Sequence, residues 1–284
     1  MGEFLLEHHG EVYSVAFFAA ITLIAVWEGI APRREGGAFL RRRWGGNIGL
    51  AVINVALIHL IVPVAAVGFA LVVEAHGIGL LHWIDSPIWI AAIVGFLAID
   101  LGRYVHHYLL HRLPVLWRVH RIHHADLDYD FTVGLRFHPI EGLFTTAFAF
   151  AVIALVGAPP IAVLAAEVLV AISGTFVHAN GRTPRWVESH VRRILVTPDM
   201  HRIHHSVRPD EHNSNYAAIL SVWDRLFGTY VAHPAGPHET MDIGLPDLRD
   251  PACLNLGWML ITPLRRYASP PPPAFTRPPT ETRW

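Results

Sequence analysis

Eight of the chain's twenty histidines fall into three tight sets: His107-x3-His111, His120-x2-His123-His124 and His201-x2-His204-His205. On a helix, residues i, i+3 and i+4 share one face, so each set presents two or three imidazoles in one direction. Burying so many imidazoles together is costly unless something binds them. The usual binder is a borderline transition metal such as iron, zinc or copper. Eight nitrogens exceed what one tetrahedral zinc can use. They suit two metals of higher coordination number, with room for oxygen or water.

Two further histidines are candidates, His138 in Arg136-Phe137-His138-Pro139 and His178 in Val177-His178-Ala179-Asn180. His106 would point about 100° away from His107 on a helix and is left out. His212 and the remaining histidines lack partners at helical spacing and read as structural. Ligation by imidazole alone leaves metal charge uncompensated, so acceptors should hold the distal ring N–H groups. The candidates are Asp100, Glu141, Glu188, Asp199 and Asp224, with Asn180 and Asn215. No catalytic side chain is expected beyond the metal ligands.

These sets need a frame, and the composition says which kind. Apolar residues make up 52% of the 284 and charged residues 16%, against about 25% charged in an ordinary soluble domain. Mean hydropathy is +0.37, so the frame is a membrane one. Spans are expected at about 13–31, 47–73 with a kink at Pro63, 87–105, 140–158 and 161–177, the last two joined at Pro159-Pro160. The fold class is therefore all-α, an integral membrane helical bundle with a helical cap around a His-rich dimetal site.

Charge sets the expected orientation. Arg33, Arg34, Arg41, Arg42 and Arg43 lie between the first two spans, which places that loop in the cytoplasm. Counting spans from there puts all three histidine sets on the cytoplasmic side. Three parts are expected: 1–86 with the N-terminal spans, 87–232 with the histidine boxes, and 233–284 as an extension. That extension should end in a disordered Pro-rich tail from Ser269. The stretch 185–230 is polar enough to read as a soluble cap. One cysteine, Cys253, excludes an intrachain disulfide. The absence of lysine among 22 basic residues points to a GC-rich bacterial genome and so to a bacterial inner membrane. No secretory signal is expected at the N-terminus, and no basic patch interleaves with aromatics, which argues against nucleic acid as a partner.

Helix starts are legible around the boxes. Pro114 opens a helix carrying the second box. Thr197-Pro198-Asp199 opens another before the third, with Thr197 or Asp199 as cap.

These pieces together resemble the membrane fatty acid hydroxylase and sterol desaturase superfamily. The likeness rests on Asp100-x3-Tyr104-x2-His107-x3-His111, on Leu116-Trp117-Arg118-Val119-His120-Arg121-Ile122-His123-His124, and on Thr197-Pro198-Asp199-Met200-His201-Arg202-Ile203-His204-His205. It continues in Asn215-Tyr216 and Trp223-Asp224-Arg225-Leu226-Phe227-Gly228-Thr229-Tyr230, and covers about residues 90–232. The resemblance implies two iron ions, with zinc as a substitute, and O2 as co-substrate for hydroxylating or desaturating a lipid C–H bond. It also implies an external electron donor, a reductase with a ferredoxin or cytochrome b5-like protein, since no GxGxxG loop or cysteine set is present. The chain departs from the family pattern in two places. Tyr108 rather than Arg follows His107, and a single His178, with Arg182 at i+4, stands where fatty acid hydroxylases carry a paired box. His138 is the expected replacement ligand. The rival readings are a membrane metal transporter, which would place its ligands near the bilayer midplane, and a zinc-dependent lipid hydrolase, which would need an open position on each zinc.

Overall fold

The computed structural model describes residues 1–37, 39–62 and 64–265. The Pro-rich tail expected from Ser269 lies outside them. Among the described residues the chain is helical and irregular, with isolated backbone bridges and no strand.

The elements run α1 (Gly2–Glu7), α2 (His9–Ile30), α3 (Leu40–Ile61), α4 (Ala66–Ala75), α5 (Ile88–Arg112), α6 (Pro114–His124), α7 (Pro139–Val156), α8 (Pro160–Val177), α9 (Arg185–Val191), α10 (Pro198–His204), α11 (Pro209–His212), α12 (Val222–Phe227) and α13 (Leu256–Ile261). Five apolar stretches are long enough to cross a bilayer, namely α2, α3 with α4, α5, α7 and α8. The 22 residues of α2 reach about 33 Å at 1.5 Å per residue, which matches the hydrocarbon thickness.

The expected kinked second span is a break rather than a bend. α3 stops at Ile61 and α4 starts at Ala66, and the two helices share one crossing. Two close approaches to α7 mark its depth. The Asn54 side chain lies against Gly142 in the first turn of α7, and Gly79 meets Gly157 just past its last turn. Gly79 has φ +102° and Gly157 φ +70°, and a Cβ on Gly79 would fall 2.2 Å from the Gly157 nitrogen. Only glycine tolerates that approach at positive φ.

The first half of α3 leaves the membrane layer and enters the cap. There Arg43 is fully buried between Asp126 and Asp130, at 2.6 Å from each. A buried guanidinium survives only when such partners saturate it, so this pairing fixes the loop after α6. The flanking segments also close on the histidine-bearing part. Met259 and Leu50 pack on Ile122, and Arg136 donates to the Cys253 carbonyl at 2.7 Å.

The third span reaches further than expected. α5 continues unbroken to Arg112, so His107 and His111 are one turn apart on a membrane helix. The ends of α5 and α8 and the starts of α6 and α7 then meet in one layer.

Candidate metal centre

Nine imidazoles gather in that layer, in two groups. His107, His111, His120, His124 and His204 form the first, and His123, His178, His201 and His205 form the second. Within each group the candidate ligand atoms lie within 4.8 Å of one another.

Helix geometry allows the division. In each HxxHH box the i+3 and i+4 residues lie about 100° apart, on either side of i, so one broad face can serve two neighbouring groups. On α6 the pair His120 and His124 enters the first group and His123 enters the second. The third box is reversed. His201 and His205 enter the second group, and His204 enters the first. α5 adds His107 and His111 to the first group, and His178 at the end of α8 completes the second. The groups adjoin, with His124 and His205 stacked at 4.5 Å between ring centroids.

Hydrogen bonds set several tautomers. His107 Nδ1 donates to the Tyr216 carbonyl at 2.8 Å, His204 Nδ1 to the Ser214 carbonyl at 2.6 Å, and His178 Nδ1 to the Gly174 carbonyl at 2.6 Å. A carbonyl only accepts, so each of these Nδ1 atoms carries the proton and each Nε2 offers a lone pair. Close packing protects the last bond, since a Cβ on Gly134 would sit 2.5 Å from the Gly174 oxygen. His120 Nδ1 donates to Glu141 Oε1 at 2.7 Å, in the carboxylate–histidine arrangement that supports metal ligands.

In the second group the Nε2 atoms crowd around the unprotonated Nε2 of His178. His178 Nε2 lies 3.2 Å from His123 Nε2, 3.2 Å from His205 Nε2 and 3.1 Å from His201 Nε2. One lone pair cannot accept three N–H donors, so this convergence is not a hydrogen-bond network. In the first group the Nε2 atoms of His107, His111 and His204 are buried without partners. Orphaned buried acceptors at this density suit a cation in each group, and an all-nitrogen donor set suits iron, zinc or copper.

Burial, followed by neighbouring imidazoles, holds His120, His123, His124, His201 and His205 well below the ordinary histidine range. Burial is also the main cause at His204, which lies equally low, and at His178, held at about 4. These rings are therefore neutral and ready to ligate at neutral pH.

The structure does not bring His138 to either group. Pro139 opens α7 and leaves His138 as its cap, where Nδ1 accepts from the Ile140 N–H at 3.2 Å and Nε2 faces the Leu260 carbonyl at 3.3 Å. Its neighbours reach the site instead. Phe137 stacks on His123 at 4.6 Å, and Glu141 holds His120.

Most of the acceptors expected to hold ligand rings bind elsewhere. Asp100 accepts from the Leu220 N–H and from Trp223 Nε1. Asn180 ties down Arg34, Asp199 pairs with Arg202, and Glu188 accepts from Thr197. Asn215 and Asp224 act through the main chain. Asn215, at φ +51°, clamps Met200 and Val231 by its side chain. Asp224 accepts from the Tyr216 and Ala217 N–H groups, and burial pushes it up to about 6. Between them they hold the short segment whose Ser214 and Tyr216 carbonyls orient His204 and His107.

The Ser214, Tyr216 and Gly174 carbonyls carry no side-chain signal that a sequence could reveal. His212 also escaped the spacing argument. It is buried flat against Trp117 at 5.8 Å, with its ring 6.3 Å from both His111 and His124. Trp117 also stands over His111 at 4.9 Å.

Comparison with known proteins converges on the same stretch. The fatty acid hydroxylase family model matches residues 92–229. An ornithine lipid hydroxylase, OlsE, from Rhizobium tropici is 30% identical over 248 residues, covering 82% of this chain and 70% of its own length. Alkylglycerol monooxygenases from Xenopus tropicalis and Homo sapiens are 34% and 30% identical, over 53% and 54% of this chain. The chain spans only 32% of the length of each of those two. No solved structure matches.

Proposed function

The chain belongs to the fatty acid hydroxylase family, and on that premise we propose that this integral membrane, oxygen-dependent lipid hydroxylase works with two iron ions. One would be held by His107, His111, His120, His124 and His204, the other by His123, His178, His201 and His205. The observation that carries this reading is the convergence of imidazole nitrogens within two buried groups. When bound, the iron pair would supply the activation of O2 that converts a C–H bond to C–OH, with two electrons from outside the chain.

The chain's own residues have narrower tasks. The carbonyls of Tyr216, Ser214 and Gly174 keep three imidazoles in the ligating tautomer. Glu141 aims His120 and sets a carboxyl group beside the first group. Tyr104, Val177, Val196, Met200, Tyr216 and Ala217 pack as an apolar layer beside the histidines, and such a layer keeps water from the reacting carbon.

A relative that matches 82% of this chain is named for an ornithine lipid. That favours a polar membrane lipid as substrate and hydroxylation over desaturation. The arginines from Arg33 to Arg43 favour a cytoplasmic active site in a bacterial inner membrane. A separate reductase with a ferredoxin or cytochrome b5-like carrier would deliver the electrons. The relatives' names argue against the transporter and hydrolase readings.

The test is lipid profiling of membranes with and without the active protein, paired with oxygen uptake by the purified, iron-loaded chain. A lipid gaining one oxygen, with iron-dependent uptake, is expected. Anaerobic cleavage of a lipid by the zinc-loaded protein would refute the reading.

A further inference from the structure

The segment 191–227 reads as polar cap in sequence, yet its contacts place part of it beside the shafts of the spanning helices. Asp100 lies seven residues before His107 on α5, roughly 10 Å further into the membrane layer. Its Oδ2 accepts from the Leu220 N–H at 3.1 Å and from Trp223 Nε1 at 2.8 Å. A second gauge on α8 agrees. Ser173 lies five residues before His178, roughly 7 Å deeper, and donates to the Ala218 carbonyl.

The path of the chain follows from these marks. Tyr216 sits at the level of His107, and the chain then descends to Leu220 beside Asp100. It turns at Ser221 and returns as α12, with Phe227 stacked on Tyr104 at 5.1 Å. Trp223 opposite Asp100 and Phe227 opposite Tyr104 are matching i, i+4 pairs, so α12 rises alongside α5. The stretch before α10 lies antiparallel beside residues 219–221, for Val196 donates to the Ile219 carbonyl and Ser221 to the Ile194 carbonyl.

What this loop turns outward is apolar. Ile194 is 65% exposed, Leu226 66%, Phe227 52% and Val222 44%. The patch continues the lipid-facing surface of α5, where Val94, Leu97 and Val105 are also exposed. Its main-chain polar groups are met internally, by the two backbone bonds above, by Asp100, and by Arg225 and Ser221, which both donate to the Arg192 carbonyl. Irregular backbone is tolerated at membrane depth only when satisfied in this way. The arrangement also accounts for Asp100, since an acid within a span needs a partner.

We propose that residues 194–195 and 217–227 form a re-entrant element seated in the lipid leaflet on the histidine side, and that its apolar patch is covered by acyl chains. Arg193, exposed next to Ile194, snorkels toward the lipid phosphates. The element lies on the membrane side of the two histidine groups, so a lipid reaching them passes along its flank.

Nitroxide labels test this in the full chain reconstituted into vesicles of phosphatidylcholine and phosphatidylglycerol. Ile194→Cys and Leu226→Cys are the probes, Leu23→Cys on α2 is the lipid reference, and Arg208→Cys is the water reference. Cys253 is buried and stays in place. The expected result is that both probes relax with dissolved oxygen rather than a water-soluble nickel chelate, as Leu23→Cys does. Nickel accessibility like that of Arg208→Cys overturns the proposal, as does shielding from both reagents, which would mean that protein covers the patch.

Discussion

The two histidine groups are built from the same kinds of helix, yet they are supported differently. The five-histidine group leans on hydrogen-bond acceptors for three of its rings, the Tyr216 and Ser214 carbonyls and the Glu141 carboxyl group, while His111 and His124 lack an Nδ1 partner and meet Trp117. The four-histidine group has the Gly174 carbonyl behind His178, while the Nδ1 atoms of His123 and His201 have no partner. Its rings are positioned by stacking instead, Phe137 on His123 and Tyr129 edge-on to His205. One centre has polar contacts behind three of its five rings, which also raise ligand basicity, and the other has one behind its four. The two metals should therefore differ in affinity and in sensitivity to substitution.

The largest expected effect is removal of a donor from the smaller group. His178→Ala leaves three imidazoles there and should lower metal content from two ions to one per chain, with hydroxylation abolished, as metal analysis and lipid turnover would record. Two ions retained by that variant would break the distinction between the groups. Next comes Glu141→Ala. Loss of an acceptor behind a ligand costs about 10–100-fold in metal affinity, and here only the five-histidine site should weaken. Glu141→Gln keeps an oxygen for His120 Nδ1 and should lose less. Competition with a chelator would rank the three proteins.

The comparison also shows what a sequence can carry. The i, i+3, i+4 spacing leaves room for each box to serve two groups, because His123 and His124 point about 100° apart on the helix, but which ring joins which group is set by the packing of the helices. The span order, too, is written in hydropathy and in Pro159-Pro160. The supporting atoms are another matter. The Tyr216, Ser214 and Gly174 oxygens belong to the main chain, and their placement depends on Asn215 and Asp224 folding a loop that has no periodic pattern. The structure keeps His138 out of both groups for a local reason. Pro139 fixes the start of α7, and a residue in that position caps the helix rather than facing its interior. Asp100 looked like ligand support because an acid in a span needs a partner, but sequence could not say that the partner is the Leu220–Trp223 turn.

Smaller effects refine the contrast. Protons compete with metal for imidazole. The folded chain holds the ligand rings neutral through burial, with His178 at about 4 against an ordinary 6.5. The unfolded chain takes up protons first as pH falls below about 6.5, so stability is full above that value and declines toward pH 4. Thermal unfolding of the metal-free protein across this window should show the decline, and flat stability would contradict it. Asn215→Ala frees the Met200 and Val231 contacts and should destabilise by about 1–3 kcal/mol, with the five-histidine site loosening more than the other. The smallest effect belongs to His138→Ala. It should cost about 1 kcal/mol as a lost cap and leave both metals bound; a drop in metal content would restore His138 to the ligand set.

The most direct measurement is metal stoichiometry across paired variants, with iron absorption spectroscopy to identify donor atoms. Wild type should bind two irons in nitrogen-rich shells, and His178→Ala and the double variant His107→Ala/His204→Ala, each of which leaves three imidazoles in one group, should each retain one, at different sites. A single iron in the wild type, or loss of both metals from either variant, would contradict two centres assembled from divided boxes.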